Sequence, residues 1–465
     1  MSLLTPSRPD HAGDSSGETD ILTLQTETIA AEQAVLFAEV MTTVRPVAIV
    51  GLGYVGLPTA LSLHVSGASV IGIDVSEARL DGIRHADVDL VAADRERLAG
   101  ALGSERFVLS TDATRLADAG TVIICVPTPV DSHLAPDLTL VRRACEMVVA
   151  QAVQGQTIIL TSTVHVGCTR EMLVEPLAAR GFDVGTDIHV AFSPERIDPG
   201  NTRFPQETVP RVLGGVTPAS TARAAQVLGR VSRVVPVESL EAAELTKLYE
   251  NTFRAVNIAL ANEMTEICRT FGVDAVEVVQ AAETKPYGFM PFYGGTGVGG
   301  HCIPCDPHYL LWSLRASGGQ APLIALAMDE IAARPREIVR QAIESLADLG
   351  VRPAEARVLV LGVAYKAGIA DVRESPALEI LEGLRRRGVT AVFSDPLVAS
   401  VRLPGGETAS SIAHPERESF DLIVINVLHP DVDHHWLASR AVLDPGNHVS
   451  RRVRRLAAAH VSAGG

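Results

Sequence analysis

The sequence predicts an α/β protein with two Rossmann-like doubly wound domains joined by a central helical region that contains one long helix. Three observations predict this class. Short apolar runs alternate with helical stretches up to residue 237, an uninterrupted helical stretch follows at 239–271, and strand-like runs return after residue 356. Such alternation is typical of parallel sheets covered by helices. The predicted divisions are an N-terminal extension (1–44), a cofactor-binding domain (45–237), a central helical domain (238–350) and a second Rossmann-like domain (351–465).

Composition limits the classes of function. The chain has 465 residues, 47% of them hydrophobic, and a formal net charge of -15. No apolar run approaches the roughly 18 residues that span a bilayer, and no signal peptide is recognisable at the N-terminus. An acidic chain is a poor partner for nucleic acid, and six scattered cysteines suit a reducing compartment. We expect a cytoplasmic protein whose partners are neither nucleic acid nor membrane.

The first strand, VAIVG, runs into a glycine turn that carries a dinucleotide-binding pattern. Gly51, Gly53 and Gly56 form GxGxxG, a helical stretch follows, and a second apolar run ends at Asp74. The three glycines allow a tight turn, an approach of the backbone to a pyrophosphate, and close packing of helix on strand. Asp74 can accept hydrogen bonds from ribose hydroxyls, which favours NAD over NADP. The residues predicted to bind NAD here are Gly51, Gly53, Tyr54, Val55, Gly56, Asp74 and Arg79.

Three later strands end in polar side chains. Thr128 lies in the Pro-Thr-Pro turn that ends the stretch at 121–130, and Thr163 lies in the stretch at 157–167. Glu195 ends the strand-like part of the stretch at 187–201. Ligands collect at the carboxyl ends of parallel strands. For the two threonines, a role as helix caps is an equally good interpretation.

The long helical stretch at 239–271 has one face of unusual composition. The spacing puts Lys247, Asn251, Arg254, Ile258 and Asn262 on one side. Cations on a helix usually face solvent, but the amides beside them favour the wall of a ligand site. At about 1.5 Å per residue the helix is roughly 50 Å long, and it is a candidate for joining domains or subunits.

The stretch at 285–308 holds a cysteine behind a run of glycines. Cys302 is predicted to be a catalytic nucleophile, with Asp306 four residues on. An alternative is a zinc site made of His301, Cys302, Cys305 and His308, although Pro304 and Pro307 interrupt that run. A regulatory disulfide between Cys302 and Cys305 is a further alternative.

The second α/β region has apolar runs at 356–366, 390–396 and 421–427 and a helix at 376–387. It contains no GxGxxG, so any nucleotide there would be bound by other contacts.

Five motifs in this order, Gly51–Gly56, VPTP, SPER, KLYEN and GGHCIPCD, together resemble the nucleotide-sugar 6-dehydrogenases, the family of UDP-glucose and GDP-mannose dehydrogenases. The resemblance covers residues 46–455. It implies an NAD domain, a central dimerisation region and a domain for a UDP-sugar. It also implies oxidation of the sugar's C6 alcohol to a carboxylate by two NAD molecules, through a thiohemiacetal and a thioester. We expect a homodimer or a higher homo-oligomer.

The resemblance assigns roles residue by residue. Cys302 matches the family's nucleophile. Asp306, at the family's position four residues later, would act as a base or bind a water molecule. Lys247 and Asn251 would stabilise the oxyanion at C6. Glu195 would act on the hydrolytic water, with Thr128 near that water and the cofactor. Arg373 would reach the NAD pyrophosphate. The implied substrate-binding residues are Lys247, Asn251, Arg254, Phe292, Tyr293, Gly297 and Lys366. No metal site is expected.

Three stretches, SPERIDPGN, the Asn-x-x-Arg of NTFRAVNIALANE and KPYGFMPFYGGTGVGGHCIP, resemble the branch that acts on UDP-N-acetylhexosamines. Within that branch, the Glu-Arg-x-Asp-Pro-Gly-Asn and Lys-Pro-Tyr-Gly-Phe sequences are most similar to UDP-N-acetylglucosamine 6-dehydrogenases. Pro199 stands where UDP-glucose enzymes usually have a second acid. UDP-N-acetylmannosamine and UDP-glucose are the alternative substrates, and a simple two-electron dehydrogenase is the rival reaction. Gly294 and Thr296 replace prolines common in the branch, which predicts a more mobile loop.

Overall fold

The computed structural model describes residues 45–131, 133–196, 204–300 and 302–449. The predictions for the N-terminal extension, for His301 and Pro199, and for the chain after residue 449 therefore lie outside the described residues.

A large sheet of eight described strands forms the first unit. Its order is β3-β2-β1-β4-β5-β6-β7-β8, parallel except where β6 meets β7. The order reverses beside β1, which opens a crevice at the carboxyl ends of β1 and β4. The strands are β1 (Val47–Val50), β2 (Val70–Ile73), β3 (Phe107–Ser110), β4 (Thr121–Ile124), β5 (Thr157–Leu160), β6 (His189–Phe192), β7 (Arg211–Gly215) and β8 (Val234–Val237).

Helices cover both faces of this sheet, so its central strands are apolar throughout. Every residue of β1, β4 and β5 is buried, as expected for strands packed on two sides. The helices of this unit are α1 (Gly56–Val65), α2 (Glu77–Arg84), α3 (Ala92–Ala101), α4 (Thr139–Gln151), α5 (Glu175–Ala179) and α6 (Pro218–Leu228).

Among the described residues, four helices form the central region. The first is α7 (Leu240–Thr270), capped by Ser239, whose hydroxyl accepts the backbone N–H of Ala242. Gly272 follows the helix with φ of 68°, a left-handed conformation that ends helices. The others are α8 (Ala275–Glu283), α9 (Cys302–Ala316) and α10 (Pro322–Asp348).

A smaller parallel sheet, in the order β10-β9-β13-β14, forms the last unit. Its elements are β9 (Arg357–Leu361), α11 (Pro376–Arg385), β10 (Thr390–Ser394), β13 (Leu422–Ile425) and β14 (Val442–Leu443), with β11 (Ser400–Arg402) and β12 (Thr408–Ser410) as a separate antiparallel pair. Helices α10 and α11 pack on this sheet.

The predicted fold class is confirmed, including the long helix and the return of the α/β pattern. The division into domains stays a prediction. Within the described residues, no helix combines the length and apolar character needed to cross a membrane. Helix α7 exposes a row of large apolar side chains that includes Tyr249 and Leu260, and the exposed Phe271 follows it. The expected subunit interface stays a prediction, which light scattering would check.

Candidate active site

The glycine turn after β1 is built on close backbone contacts. A Cβ added to Gly56 would lie 1.8 Å from the carbonyl oxygen of Gly51, which itself has φ of 88°. By contrast, a Cβ on Gly53 would meet no atom within 4 Å. The protein therefore needs Gly51 and Gly56 for its own packing, whereas Gly53 faces open space. An open backbone at the N-terminus of α1 suits the pyrophosphate of a dinucleotide, so these residues fit NAD.

Polar contacts hold this turn against the end of β2. One carboxylate oxygen of Asp74 accepts the backbone N–H of Leu52 at 2.9 Å, and the other accepts that of Ser76. The Nε of Arg79 donates to the carbonyl oxygen of Leu52 at 2.9 Å. Asp74 and Arg79 thus shape the cofactor turn, and Val55 lies half-buried just before α1.

The two units meet at the same turn. The guanidinium carbon of Arg373, from the loop after β9, lies 5.0 Å from the ring centroid of Tyr54. Asp371 pairs with Arg373 and orients it. A cation from the second unit therefore packs on the side chain of the residue after Gly53, and its contact with a pyrophosphate stays a prediction.

The turns after β4 and β5 are adjacent because those strands pair directly. The hydroxyl of Ser162 donates to the carbonyl oxygen of Val126 at 2.8 Å. Thr128 is buried, and its carbonyl oxygen accepts the hydroxyl of Tyr309 on α9 at 2.9 Å. Thr163 is half-buried in the second turn. The two threonines predicted at the cofactor thus lie on neighbouring turns.

Helix α7 supplies the charged wall that its spacing predicts. Lys247 is buried, and its Nζ donates to the carbonyl oxygen of Glu195 at 2.8 Å. One turn further on, the side-chain amide of Asn251 donates to a carboxylate oxygen of Asp306. Lys247, Asn251, Glu195 and Asp306 therefore form one cluster. Asn262, on the same face, accepts the backbone N–H of Gly295 at 2.9 Å.

Cys302 is the first residue of α9, which places it one helical turn before Asp306. The residue is exposed to solvent. Loss of hydration in the cleft and the negative charge of Asp306 nevertheless raise the pKa of the thiol, while Lys247, Arg254 and Arg373 lower it. The three cations act on the sulfur from α7 and from the second unit. The resting group at neutral pH is thus a thiol that needs a base.

Asp306 can be that base. The side chain is fully enclosed, and burial raises its pKa to about 6, although Lys247 and Asn251 act in the opposite direction. A carboxylate with a raised pKa is mostly ionised at pH 7 yet takes up a proton more readily than an ordinary aspartate.

Asp306→Asn should change the reactivity of Cys302 and the turnover rate in opposite directions. Removing the negative charge lowers the pKa of the thiol, so iodoacetamide should alkylate the resting variant several-fold faster than the wild type at pH 8. Turnover should fall because the base is lost. Since the other five cysteines are buried, the alkylation rate under native conditions reports Cys302. Slower alkylation of the variant would contradict the electrostatic account.

The structure gives Cys305 a place that the sequence did not reveal. This thiol is buried, burial raises its pKa to about 12, and the backbone N–H of Val130 donates to its sulfur. Both Cys302 and Cys305 are free thiols. Among the described residues no three metal-binding side chains come together, and His301 lies outside them. Cys305 anchors α9 on the turn after Thr128.

The glycine loop before α9 is held at several points. The hydroxyl of Thr296 donates to the side-chain oxygen of Asn426 at 2.6 Å, and the Nε of Arg334 donates to the carbonyl oxygen of Gly295 at 2.9 Å. The backbone N–H of Gly300 donates to the carbonyl oxygen of Arg373 at 2.9 Å. The substitution of Thr296 for a proline therefore adds a tether to the second unit, and these contacts do not support the expectation of a looser loop.

This loop brings the second unit close to Cys302. A side chain on Gly297 would lie 2.8 Å from the Cβ of Pro376 at the start of α11. Lys366 is half-buried in the loop after β9 that also carries Arg373. The predicted substrate residue Gly297 thus lies where the two units meet. The contact of Lys366 with the substrate stays a prediction.

Phe292 and Tyr293 lie elsewhere on the loop. The ring of Phe292 packs edge-on against Phe253 of α7 at 6.1 Å. Both residues line an apolar cavity of about 300 Å³ between α7 and α8. Lys247, Asn251 and Cys302 do not line that cavity. The contact of these aromatic residues with a sugar stays a prediction.

Sequence reasoning missed three residues that position the site. Tyr309 holds the turn at Thr128. Glu244 is buried on α7 and accepts the backbone N–H groups of Gly167 and Thr169. Arg211 pairs with Glu195. Helical spacing could have found two of them, because Tyr309 shares a helix face with Cys302 and Glu244 shares one with Lys247. For Arg211, the signal was a charge at the head of an apolar strand.

Three family models match the chain. They are the NAD binding domain, the central domain and the UDP binding domain of the UDP-glucose/GDP-mannose dehydrogenase family, at residues 45–231, 241–330 and 359–451.

Individual relatives agree with these matches. The chain is 34% identical over 392 residues to the UDP-N-acetyl-D-mannosamine dehydrogenase of Pyrococcus horikoshii, covering 83% of this chain and 90% of the relative. It is 30% identical over 410 residues to the UDP-N-acetyl-D-glucosamine 6-dehydrogenase of Pseudomonas aeruginosa, covering 87% and 95%. The solved structure of the UDP-D-ManNAc dehydrogenase from Pyrococcus horikoshii superposes with a TM-score of 0.78 at 31% identity, covering 86% of this chain and 95% of that one.

Proposed function

Because the chain belongs to the UDP-glucose/GDP-mannose dehydrogenase family, we propose that it oxidises the C6 alcohol of a UDP-N-acetylhexosamine to the uronic acid. The chain is an NAD-dependent nucleotide-sugar dehydrogenase. The observation that carries the proposal is the group of Lys247, Asn251 and Asp306 beside the exposed thiol of Cys302, with the backbone carbonyl of Glu195 bound to Lys247. Bound NAD would accept one hydride from C6 in each of two oxidations.

The first oxidation needs a stabilised oxygen at C6. Lys247 is buried and positively charged, and Asn251 carries an amide donor one turn away. Donors held in a partly dehydrated cleft stabilise a developing alkoxide strongly, because they need no reorganisation during the reaction. These two side chains would bind the C6 oxygen while it loses its proton and becomes the aldehyde oxygen.

Capture of the aldehyde uses Cys302. The sulfur forms a bond to C6 and gives its proton to Asp306, and the former carbonyl oxygen then takes that proton from Asp306 to become the hydroxyl of a thiohemiacetal. The raised pKa of Asp306, about 6, suits a group that accepts this proton and later releases it. When the second hydride leaves C6, the hydroxyl proton is lost and a thioester remains. A thioester is an activated acyl group, which water then hydrolyses with Glu195 as the positioning carboxylate.

The sugar is proposed to be UDP-N-acetylglucosamine. The Glu-Arg-x-Asp-Pro-Gly-Asn sequence after residue 194 and the Lys-Pro-Tyr-Gly-Phe sequence at 285–289 support it, as does the 30% identity to the Pseudomonas aeruginosa enzyme. UDP-N-acetylmannosamine is the second candidate, because the Pyrococcus horikoshii relative is 34% identical. These two sugars differ only in configuration at C2, so the residues around the N-acetyl group decide between them.

An NAD-reduction screen tests both the proposed reaction and the proposed sugar. Purified protein is supplied with UDP-N-acetylglucosamine, UDP-N-acetylmannosamine, UDP-glucose or GDP-mannose, and NADH is counted against sugar consumed. We expect two NADH per sugar and the highest kcat/KM with UDP-N-acetylglucosamine. One NADH per sugar would refute the thioester route and favour a simple two-electron dehydrogenase. A preference for UDP-N-acetylmannosamine would change the substrate and leave the mechanism in place.

A further inference from the structure

The carboxylate of Glu195 is held by a buried arginine that begins the antiparallel strand β7. The Nη2 of Arg211 lies 2.8 Å from Oε2 of Glu195, and the two side chains are only 3% and 13% exposed. An arginine with so little contact to water is expensive to bury unless its donors are used. Loss of this partner would therefore leave a buried charge unpaired, which would destabilise the protein more than loss of an ion pair on the surface.

The segment that carries Glu195 is fastened to β7 at further points. The hydroxyl of Ser193 donates to the carbonyl oxygen of Val212 at 2.8 Å, and Nη1 of Arg196 donates to that of Pro210 at 2.6 Å. Lys247 holds the carbonyl oxygen of Glu195 from the other side. The backbone around Glu195 is thus fixed without Arg211. Arg211 holds Oε2 of the carboxylate, while the backbone N–H of Arg196 donates to Oε1 at 2.8 Å.

The pair lies at the carboxyl end of β6, because Glu195 follows that strand and Arg211 begins the antiparallel strand beside it. Burial raises the pKa of the Cys125 thiol to about 12, and the charges of Glu195 and Arg211 both act on it. Cys125 directly precedes the turn that carries Thr128. The Arg211–Glu195 pair therefore stands at the carboxyl edge of the sheet, beside the turns predicted to meet cofactor and substrate.

One donor of this arginine is unused. The Nη1 of Arg211 is buried and has no hydrogen-bond partner among the residues the structure describes. Buried charged donors are rarely left unsatisfied, and an ordered water is the usual partner. Because the guanidinium is planar, an oxygen bound at Nη1 would lie next to the carboxylate paired at Nη2.

We propose that Arg211 is a positioning residue for thioester hydrolysis, which orients the Glu195 carboxylate and holds a water molecule beside it. The inference rests on the proposed function. In this step the water oxygen bonds to C6, and the bond between C6 and Sγ of Cys302 breaks. One water proton returns to the sulfur and the other is released from the new carboxyl group. Nothing is oxidised or reduced, so both hydride transfers precede the step that Arg211 serves.

Arg211→Met and Arg211→Lys test the inference in single-turnover experiments. Both variants should form two NADH per active site at rates near those of the wild type and then stall. The kcat should fall by about 10²-fold, the loss typical of a misplaced reacting group, with little change in KM for either substrate. Intact-mass measurement of the stalled protein should find the acyl adduct on Cys302. The lysine variant keeps the buried positive charge, so the same measurements can be made on it if the methionine variant does not fold.

Glu250→Gln is the matched control. It removes the charge from the neighbouring pair between Arg196 and Glu250, whose side chains are 28% and 32% exposed. The pair between Arg211 and Glu195 stays in place. This variant should lower the melting temperature without accumulating the adduct. A kcat within threefold of wild type in both Arg211 variants, or loss of the first hydride transfer to the same degree as turnover, would overturn the inference. If the wild type forms one NADH per sugar, the proposed function fails instead.

Discussion

Replacing Cys302 by alanine is expected to abolish uronate release while leaving NAD binding intact. The aldehyde formed by the first hydride transfer would find no sulfur, so neither the thiohemiacetal nor the thioester could form. Loss of a covalent nucleophile typically lowers turnover by about 10³-fold or more. Cys302→Ser should also lose release, and an oxygen ester formed slowly there would stall as an adduct. Product analysis by chromatography, with NAD titration of the same preparation, measures both effects.

Cys305→Ser is the matched control for this prediction, because it alters the neighbouring thiol of the same helix. Cys305 is buried, and the backbone N–H of Val130 donates to its sulfur. A hydroxyl can accept the same hydrogen bond, so the variant should lose some stability and keep most of its turnover. Full uronate release by Cys302→Ala would remove the proposed mechanism. An equal loss of uronate release in Cys302→Ala and Cys305→Ser would mean that turnover depends on the position of the helix and not on the Cys302 sulfur.

The elements that the sequence predicted depend on neighbours along the chain. The turn from Gly51 to Gly56 follows a fully apolar strand, and the face of α7 follows from helical spacing alone. That spacing is sufficient to group Lys247 with Asn251. Asp306 was assigned beside Cys302 only by the family resemblance, since no helix was predicted at that point in the chain.

The contacts that the sequence did not reveal join segments far apart in the chain. Tyr309 reaches the carbonyl oxygen of Thr128 across 181 residues, and Thr296 reaches Asn426 across 130. No local pattern encodes such pairs. Arg211 is only 16 residues from Glu195, but their contact requires β7 to run antiparallel to β6, a reversal that an alternating α/β pattern does not predict.

The start of α9 was also hidden, since its first six residues contain two prolines. Proline lacks an N–H and is tolerated in the first turn of a helix, where that donor has no partner within the helix. Pro304 fits there, and Pro307 lies one turn further on. A segment that reads as interrupted is therefore a helix that begins at Cys302, and the same fact places Cys302 and Asp306 on one side of it.

Two substitutions in the glycine turn should separate the packing of the protein from the binding of NAD. Gly56→Ala puts a methyl group 1.8 Å from the carbonyl oxygen of Gly51, and backbone atoms cannot move aside cheaply. Overpacking of this kind costs roughly 1–3 kcal/mol of folding stability and sometimes more. The variant should therefore melt several degrees lower and lose measurable affinity for NAD, because the whole turn must shift.

Gly53→Ala adds the same methyl group three residues earlier, where no protein atom lies within 4 Å. Its melting temperature without cofactor should equal that of the wild type. Its affinity for NAD should nevertheless fall by about tenfold or more, because the methyl group occupies space that the pyrophosphate needs. Calorimetric titration with NAD and thermal melting of both variants give the four values required. Unchanged NAD affinity in Gly53→Ala would show that the cofactor does not approach this backbone, because that variant's own packing gives no other reason for a loss.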